Sequence, residues 1–148
     1  MTSSIGKIIT LFTSAQDTGI RIEKKKLTLD EKGIIDDKYY NKSIQRSILI
    51  TSNASYTLAK KYNINMPYGA LGENLLISYN PYHLPMGQKI LIGNVMLEIS
   101  QNCTICDHLS QINKLLPTLL KKDRGIFAKV LQGGIIHEGD EIYLYNKH

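Results

Sequence analysis

The chain has no tryptophan, two phenylalanines, two cysteines and four prolines among its 148 residues. Two thiols cannot build the dense disulfide framework on which small secreted folds depend. Without tryptophan, with only two phenylalanines, and without basic-aromatic interleaving of the kind single-strand nucleic acid binders use, the chain is not expected to be one of them. No apolar run approaches the roughly 18 residues that span a bilayer. The opening residues, Met1 to Lys7, lack the basic segment and long apolar stretch of a secretory signal. The expectation is a cytoplasmic protein with reduced thiols and no membrane partner. The histidines are His83, His108, His137 and His148, with no His-x(3–5)-His spacing to complete a zinc site begun by a cysteine pair. Neither a phosphate-loop pattern nor a Ser–His–Asp order is present.

What the chain does have is apolar content of 43%, enough for a globular core, at a length that fits a single domain over residues 1–148. The net charge is +5, part of it in the clusters Lys24-Lys25-Lys26, Lys60-Lys61 and Lys121-Lys122. These read first as solvated faces, so nucleic acid is not the expected partner. Ile5 to Phe12 and Ile20 to Leu29 read as strands, the second with a wet face. Arg46 to Thr51 reads as a strand leading into a helix over 54–62, capped by Ser52 or Asn53. Gly93-Asn94 between two apolar runs signals a tight hairpin joining Lys89–Ile92 to Val95–Ile99. Gly125 to Leu131 and Asp140 to Tyr145 complete the strands, with Gly133-Gly134 read as a turn. The helix after Cys106 runs to about Leu116, and Pro117 ends it or starts another. About eight strands and two or three helices, without βαβ alternation, predict a mainly antiparallel β-barrel or folded sheet with short helices at its rim. Barrel mouths and loop ends are the expected ligand sites.

The chemistry concentrates where the strand Leu97–Asn102 meets the following helix, in Cys103-Thr104-Ile105-Cys106. A thiol at a helix entrance has its thiolate favoured by the unpaired N–H groups and the dipole there. The pair has three readings: a dithiol redox couple, half a zinc site, or one working cysteine with a bystander. A thioredoxin-type couple needs a βαβ context, which is absent. Two buried apolar cysteines are the bland alternative. Elsewhere, Gly72-Glu73-Asn74 before an apolar strand and Asp36-Asp37 read alone as turns, and Arg124-Gly125 offers a guanidinium fork to an oxyanion.

Taken in order, these pieces resemble the MOSC domain, named for the C-terminal domain of molybdenum cofactor sulfurases. The strongest part is Arg124-Gly125-Ile126-Phe127-Ala128-Lys129-Val130-Leu131-Gln132-Gly133-Gly134 followed by Gly139-Asp140-Glu141-Ile142. Gly72-Glu73-Asn74-Leu75, Gly33-Ile34-Ile35-Asp36-Asp37, Arg46 at a strand opening, and Gln101 to Leu109 also match. Asp36 replaces the family's usual glycine, Lys38-Tyr39 stands where Arg-His is common, and Cys103-Thr104-Ile105 replaces Arg-x-Pro. The resemblance implies a MOSC-type antiparallel β-barrel and the handling of sulfur or of the molybdenum cofactor. Cys106 aligns with the reactive cysteine, as persulfide carrier or molybdenum ligand. Arg46, Glu73, Asn74 and Arg124 would line the pocket, and Asp37 would shape it or bond to the pterin. The resemblance also implies reduction of N-hydroxylated compounds in some members, a cysteine desulfurase as sulfur donor and a molybdoenzyme as acceptor. At family level it extends to pyridoxal phosphate binding. The rival readings are a non-catalytic binding module with an inert cysteine, and a dithiol oxidoreductase using Cys103 and Cys106.

Overall fold

A computed structural model describes residues 3–103 and 107–146. Its described strands are β1 (Gly6–Ser14), β2 (Arg21–Lys24), β3 (Lys26–Asp30), β4 (Gly33–Ile34), β5 (Ile48–Ser52), β6 (Leu75–Ile77), β7 (Lys89–Ile92), β8 (Val95–Asn102), β9 (Ile126–Gln132), β10 (Gly134–His137) and β11 (Glu141–Tyr145). The helices are α1 (Asn53–Lys61), α2 (Asp107–Ile112) and α3 (Leu116–Leu119). Seven strands follow one another around a closed barrel in the order β11-β7-β8-β9-β5-β6-β1, and β11 pairs back onto β1 through Gly6 opposite Ile142. Closure removes the exposed edges of the barrel strands. β2 hangs on β1 outside the ring, and β10, β3 and β4 form a small separate sheet. The neighbours are antiparallel except for β5 and β6, which run parallel.

The hairpin at Gly93-Asn94 is present, with Ile92 paired to Val95 and Gly93 at φ 59°. Three expectations change. The strand over 20–29 divides at Lys25, because β2 stays on β1 while β3 turns away to pair with β10 and β4. Gly134 begins a strand instead of ending a turn, since its carbonyl and amide neighbours continue into a ladder against Leu29 to Lys26. The helix after the cysteine segment stops at Ile112, and Pro117 then sits in the first turn of α3, where its missing N–H would have no partner anyway.

Side chains alternate across the barrel wall with the period of two that a strand imposes. Ile48, Ile50, Ile126, Ala128, Leu75 and Ile77 join the barrel core. Their neighbours Leu49 and Phe127 point the other way and form a separate cluster with Cys103. Leu76 likewise leaves the core, to pack with Tyr56, Ala59, Leu71, Leu109, Leu116 and Leu120. The short helices therefore cover one outer stretch of the wall, and Leu49 and Phe127 floor another. Gly125 is required where β9 meets β5, since a Cβ there would lie 2.9 Å from Leu49 Cδ1 and 3.3 Å from the Ile50 carbonyl. No helix among the described residues is long and apolar enough to cross a membrane.

Candidate functional site

Over the outward Leu49–Phe127 surface lies a cavity of about 680 Å³. Its walls come from four places. Ser14, Gly19 and Arg21 supply the turn between β1 and β2, and Tyr39, Lys42, Ser43, Arg46 and Ser47 the connection from β4 to β5. Gly69 to Gly72 with Asn74 supply the loop before β6, and Cys103, Arg124 and Phe127 the ends of β8 and β9. The site thus sits on the outer wall of the barrel, not in its mouth. It exists because alternation turns Leu49 and Phe127 outward and three connections close over them.

Four of the lining side chains are cationic (Arg21, Lys42, Arg46 and Arg124), and among the described residues no carboxylate lines the cavity. Arg124 is 6% exposed and donates to the Leu71 carbonyl, which fixes it to the loop before β6. Arg46 is exposed, lies 5.5 Å over the Phe127 ring, and donates from Nε to the Gln101 amide oxygen at 2.9 Å in the orientation that satisfies both ends of that amide. Asn74 is a clamp as well as a lining residue. Its Oδ1 accepts from the Leu49 amide at 3.0 Å and its Nδ2 donates to the Phe12 carbonyl at 3.2 Å, tying β5 to β1 at the wall.

The two carboxylates singled out by the sequence lie behind the wall. Glu73 is fully buried; its Oε2 accepts from Tyr56 Oη at 2.6 Å and from the Gly69 amide at 3.1 Å. Glu73 Oε1 has no hydrogen-bond partner among the described residues. Tyr56 Oη also accepts from the amides of Gly69 and Leu71, so a phenol and a carboxylate together shape the Gly69–Gly72 wall. Burial first, and then the Glu73 charge, push the Tyr56 phenol well above its ordinary pKa. Gly69 is constrained there by φ +94° and by Phe12, whose Cε1 would lie 2.9 Å from a Cβ. Asp37 is buried and accepts from the Ser14 amide at 2.7 Å and the Tyr39 amide at 3.0 Å. Asp36 beside it stands at φ 73°, a left-handed conformation that glycine adopts without strain.

Sequence reasoning missed Arg21. Its guanidinium donates to Ser14 Oγ and to the Glu73 carbonyl, and its ring-facing side lies 5.8 Å over Phe12. Burial lowers its pKa, and the charges of Glu73 and Asp37 oppose that shift. Arg21 is thus a partly buried cation, held by a hydroxyl and a backbone carbonyl, in the electrostatic field of Glu73 and Asp37. In the sequence it is one basic residue at the start of a wet strand, and only the fold brings it to residues 37 and 73. Of the expected pocket residues, Arg46, Asn74 and Arg124 line the cavity, while Asp37 and Glu73 support its wall. Cys106 lies outside the described residues. Cys103 lines the cavity, 4% exposed, with its amide bonded to the Gly125 carbonyl. Among the described residues no group of three or more His, Cys, Asp or Glu side chains is placed to hold a metal ion.

The chain resembles several solved structures over nearly all its length. The YUAD protein from Bacillus subtilis matches with a TM-score of 0.84 at 17% identity, covering all of both chains. YiiM from Geobacillus stearothermophilus matches at 0.75 and 16%, covering 95% of this chain and 75% of that one. YiiM from Escherichia coli matches at 0.71 and 17%, covering 96% and 71%. At such identities these likenesses show a shared fold. No curated protein matches in sequence. The family model of the MOSC domain matches residues 37–143, which contain the barrel strands from β5 onward and most of the cavity wall, and the chain belongs to the MOSC domain family.

Proposed function

We propose that the protein handles sulfur or the molybdenum cofactor in this cavity, with Cys106 as the working thiol. The observation that carries the reading is the lining: among the described residues, four cations, no carboxylate and an apolar floor of Leu49 and Phe127 beside the strand that leads to the cysteine pair. Such a wall takes an anionic ligand with a planar body. The molybdenum–pterin cofactor fits that description, and 680 Å³ is within the range of small-molecule cavities. Arg46 and Arg124 would hold its anionic groups, Phe127 and Leu49 would lie against its rings, and Asn74 and Gly69 to Gly72 would bound it. When bound, the cofactor would supply a redox-active metal centre for reducing N-hydroxylated compounds, with the Cys106 thiolate as a soft metal ligand. Without the cofactor, the same thiolate would carry sulfur as a persulfide.

Three residues of chain reach at most about 11 Å. In the sequence Cys106 follows the lining residue Cys103 by three positions and directly precedes Asp107, where α2 begins. Guanidinium groups close to a thiol favour its thiolate. A cysteine desulfurase as donor and a molybdoenzyme as acceptor are the corresponding partners. The position of Cys103 in the cavity wall favours one second reading, a dithiol couple of Cys103 and Cys106. Intact mass and molybdenum analysis of protein purified from a host that makes the cofactor tests the proposal. Molybdenum with pterin, or one added sulfur per chain, is the expected result. Unmodified, metal-free protein from that host would refute it.

A further inference from the structure

The outer lip of the cavity is a single stretch, Lys38-Tyr39-Tyr40-Asn41-Lys42-Ser43-Ile44-Gln45-Arg46. It carries three cations and no carboxylate. Its residues divide into anchors and presented groups. Tyr40 donates to the Asp30 carboxylate, the Asn41 amide donates to the Lys32 carbonyl at 2.8 Å, and Ser100 Oγ donates to the Gln45 carbonyl. At its start, the Lys38 amide donates to the Ser14 carbonyl and the Tyr39 amide to Asp37. The lip is thus fastened to β3, β8 and the end of β1 along its length. Between the anchors it presents Tyr39, 54% exposed, and Ile44, 42% exposed, with Lys42 and Arg46 also exposed. Lys38 Nζ lies 5.6 Å over the Tyr39 ring. Two large apolar side chains facing water on a fastened, uniformly cationic segment make a preformed surface, for which little ordering entropy remains to be lost on binding.

We propose that this lip docks an acidic polypeptide segment bearing apolar anchor residues, belonging to the protein that delivers cargo to the cavity or collects it. The inference rests on the reading of the cavity as a cargo site. Charge complementarity selects the occupant. Lys38, Lys42 and Arg46 favour a negative segment and disfavour a positive one. Tyr39 and Ile44 require apolar side chains on the partner, which a free small anion or a nucleic acid backbone does not offer. The carboxylates in contact with the stretch are already engaged by it, Asp30 accepting from Tyr40 and the buried Asp37 from the Tyr39 amide, and Asp36 precedes it in sequence. Continuity with the cavity gives the location its purpose: Tyr39, Lys42 and Arg46 belong to both the lip and the lining.

Fluorescence anisotropy at low salt with three labelled synthetic peptides tests the proposal. One peptide alternates Asp and Glu with Leu, one replaces the acids by Lys, and one replaces Leu by Ser. The acidic leucine peptide should bind about tenfold more tightly than either of the others. Its affinity should fall about fivefold or more in Lys38→Glu and in Ile44→Ser, neither of which lines the cavity, and stay unchanged in Lys121→Glu, a control on a remote lysine cluster. Equal binding of the serine peptide, or an equal loss in Lys121→Glu, would overturn the proposal in favour of diffuse charge. Tighter binding of a single-stranded oligonucleotide, lost in the same two lip variants, would overturn it in favour of nucleic acid. Because Cys106→Ala leaves the lip intact, it should bind the acidic peptide as the wild type does. Failure of cargo loading is therefore separable from failure of docking.

Discussion

Replacing Arg21 by Met is expected to destabilise the protein substantially. The substitution roughly preserves side-chain length and removes one charge and two donated hydrogen bonds, to Ser14 Oγ and the Glu73 carbonyl. It leaves Glu73 and Asp37, both buried, without the cation whose pKa their charges raise. Losing a hydrogen bond made by a charged group costs about 1.5–3 kcal/mol where it is buried. Arg21 is only partly buried, so we expect about 3 kcal/mol. For a chain of this length that lowers the melting temperature by about 10 °C. Arg21→Lys should recover less than half of the loss, because an ammonium cannot span both acceptors as the guanidinium fork does. Glu73→Gln alone should cost less, since it removes one of two negative charges facing a single cation and keeps an acceptor for Tyr56. The double variant Arg21→Met/Glu73→Gln should be less destabilised than the sum of its parts, by about 1 kcal/mol or more. Urea unfolding of the four proteins reads all of this. If Arg21→Met lies within about 0.5 kcal/mol of the wild type, or the two changes add without coupling, then Arg21 does not compensate the buried carboxylates.

Asn74→Ala removes both partners of the clamp between β5 and β1, leaving the Leu49 amide and the Phe12 carbonyl buried and unpaired; a loss of about 2–4 kcal/mol in urea unfolding is expected, and a loss below about 1 kcal/mol would make the clamp incidental. The phenols give an alkaline dependence. Tyr82 is pushed up from 10.0 to about 12, chiefly by burial, and Tyr56 is raised further, so both stay neutral in the folded protein where the unfolded chain ionises. Their contribution is full below pH 10 and is lost as the pH rises through the folded values. Stability should therefore fall as the pH rises from about 10 to about 12, and Tyr82→Phe, though weaker at neutral pH, should show a shallower fall; parallel curves would contradict this.

The barrel was legible where local chemistry and tertiary packing agree. Gly93-Asn94 between apolar runs dictates a hairpin, and Ser52 caps α1 by accepting from the Ala54 amide at 3.0 Å. Misreadings arose where the outcome depended on distant partners. The alternation over 20–29 runs through a point at which the chain changes sheets, and periodicity carries no record of which sheet is joined. Gly133-Gly134 has turn composition, yet Gly133 approaches the Leu29 carbonyl so closely that a Cβ would lie 2.3 Å from it, which serves strand crossing as well as turning. At the cavity, the residues that motif resemblance marked differ in how they act. Arg46, Asn74 and Arg124 face the cavity, whereas Glu73 and Asp37 hold its wall from behind. Arg21 lies before the matched stretch at residues 37–143, so no family motif marked it.

The proposed function turns on one sulfur atom, that of Cys106. Its most direct test is to purify wild type, Cys103→Ala and Cys106→Ala in parallel from a host that makes the molybdenum cofactor, and to read molybdenum content and intact mass in each. The expected results are a loaded wild type, a Cys103→Ala variant that still loads, and a Cys106→Ala variant that carries neither molybdenum nor added sulfur. Full loading of Cys106→Ala, with loading lost in Cys103→Ala, would transfer the role to the thiol that lines the cavity and contradict the claim.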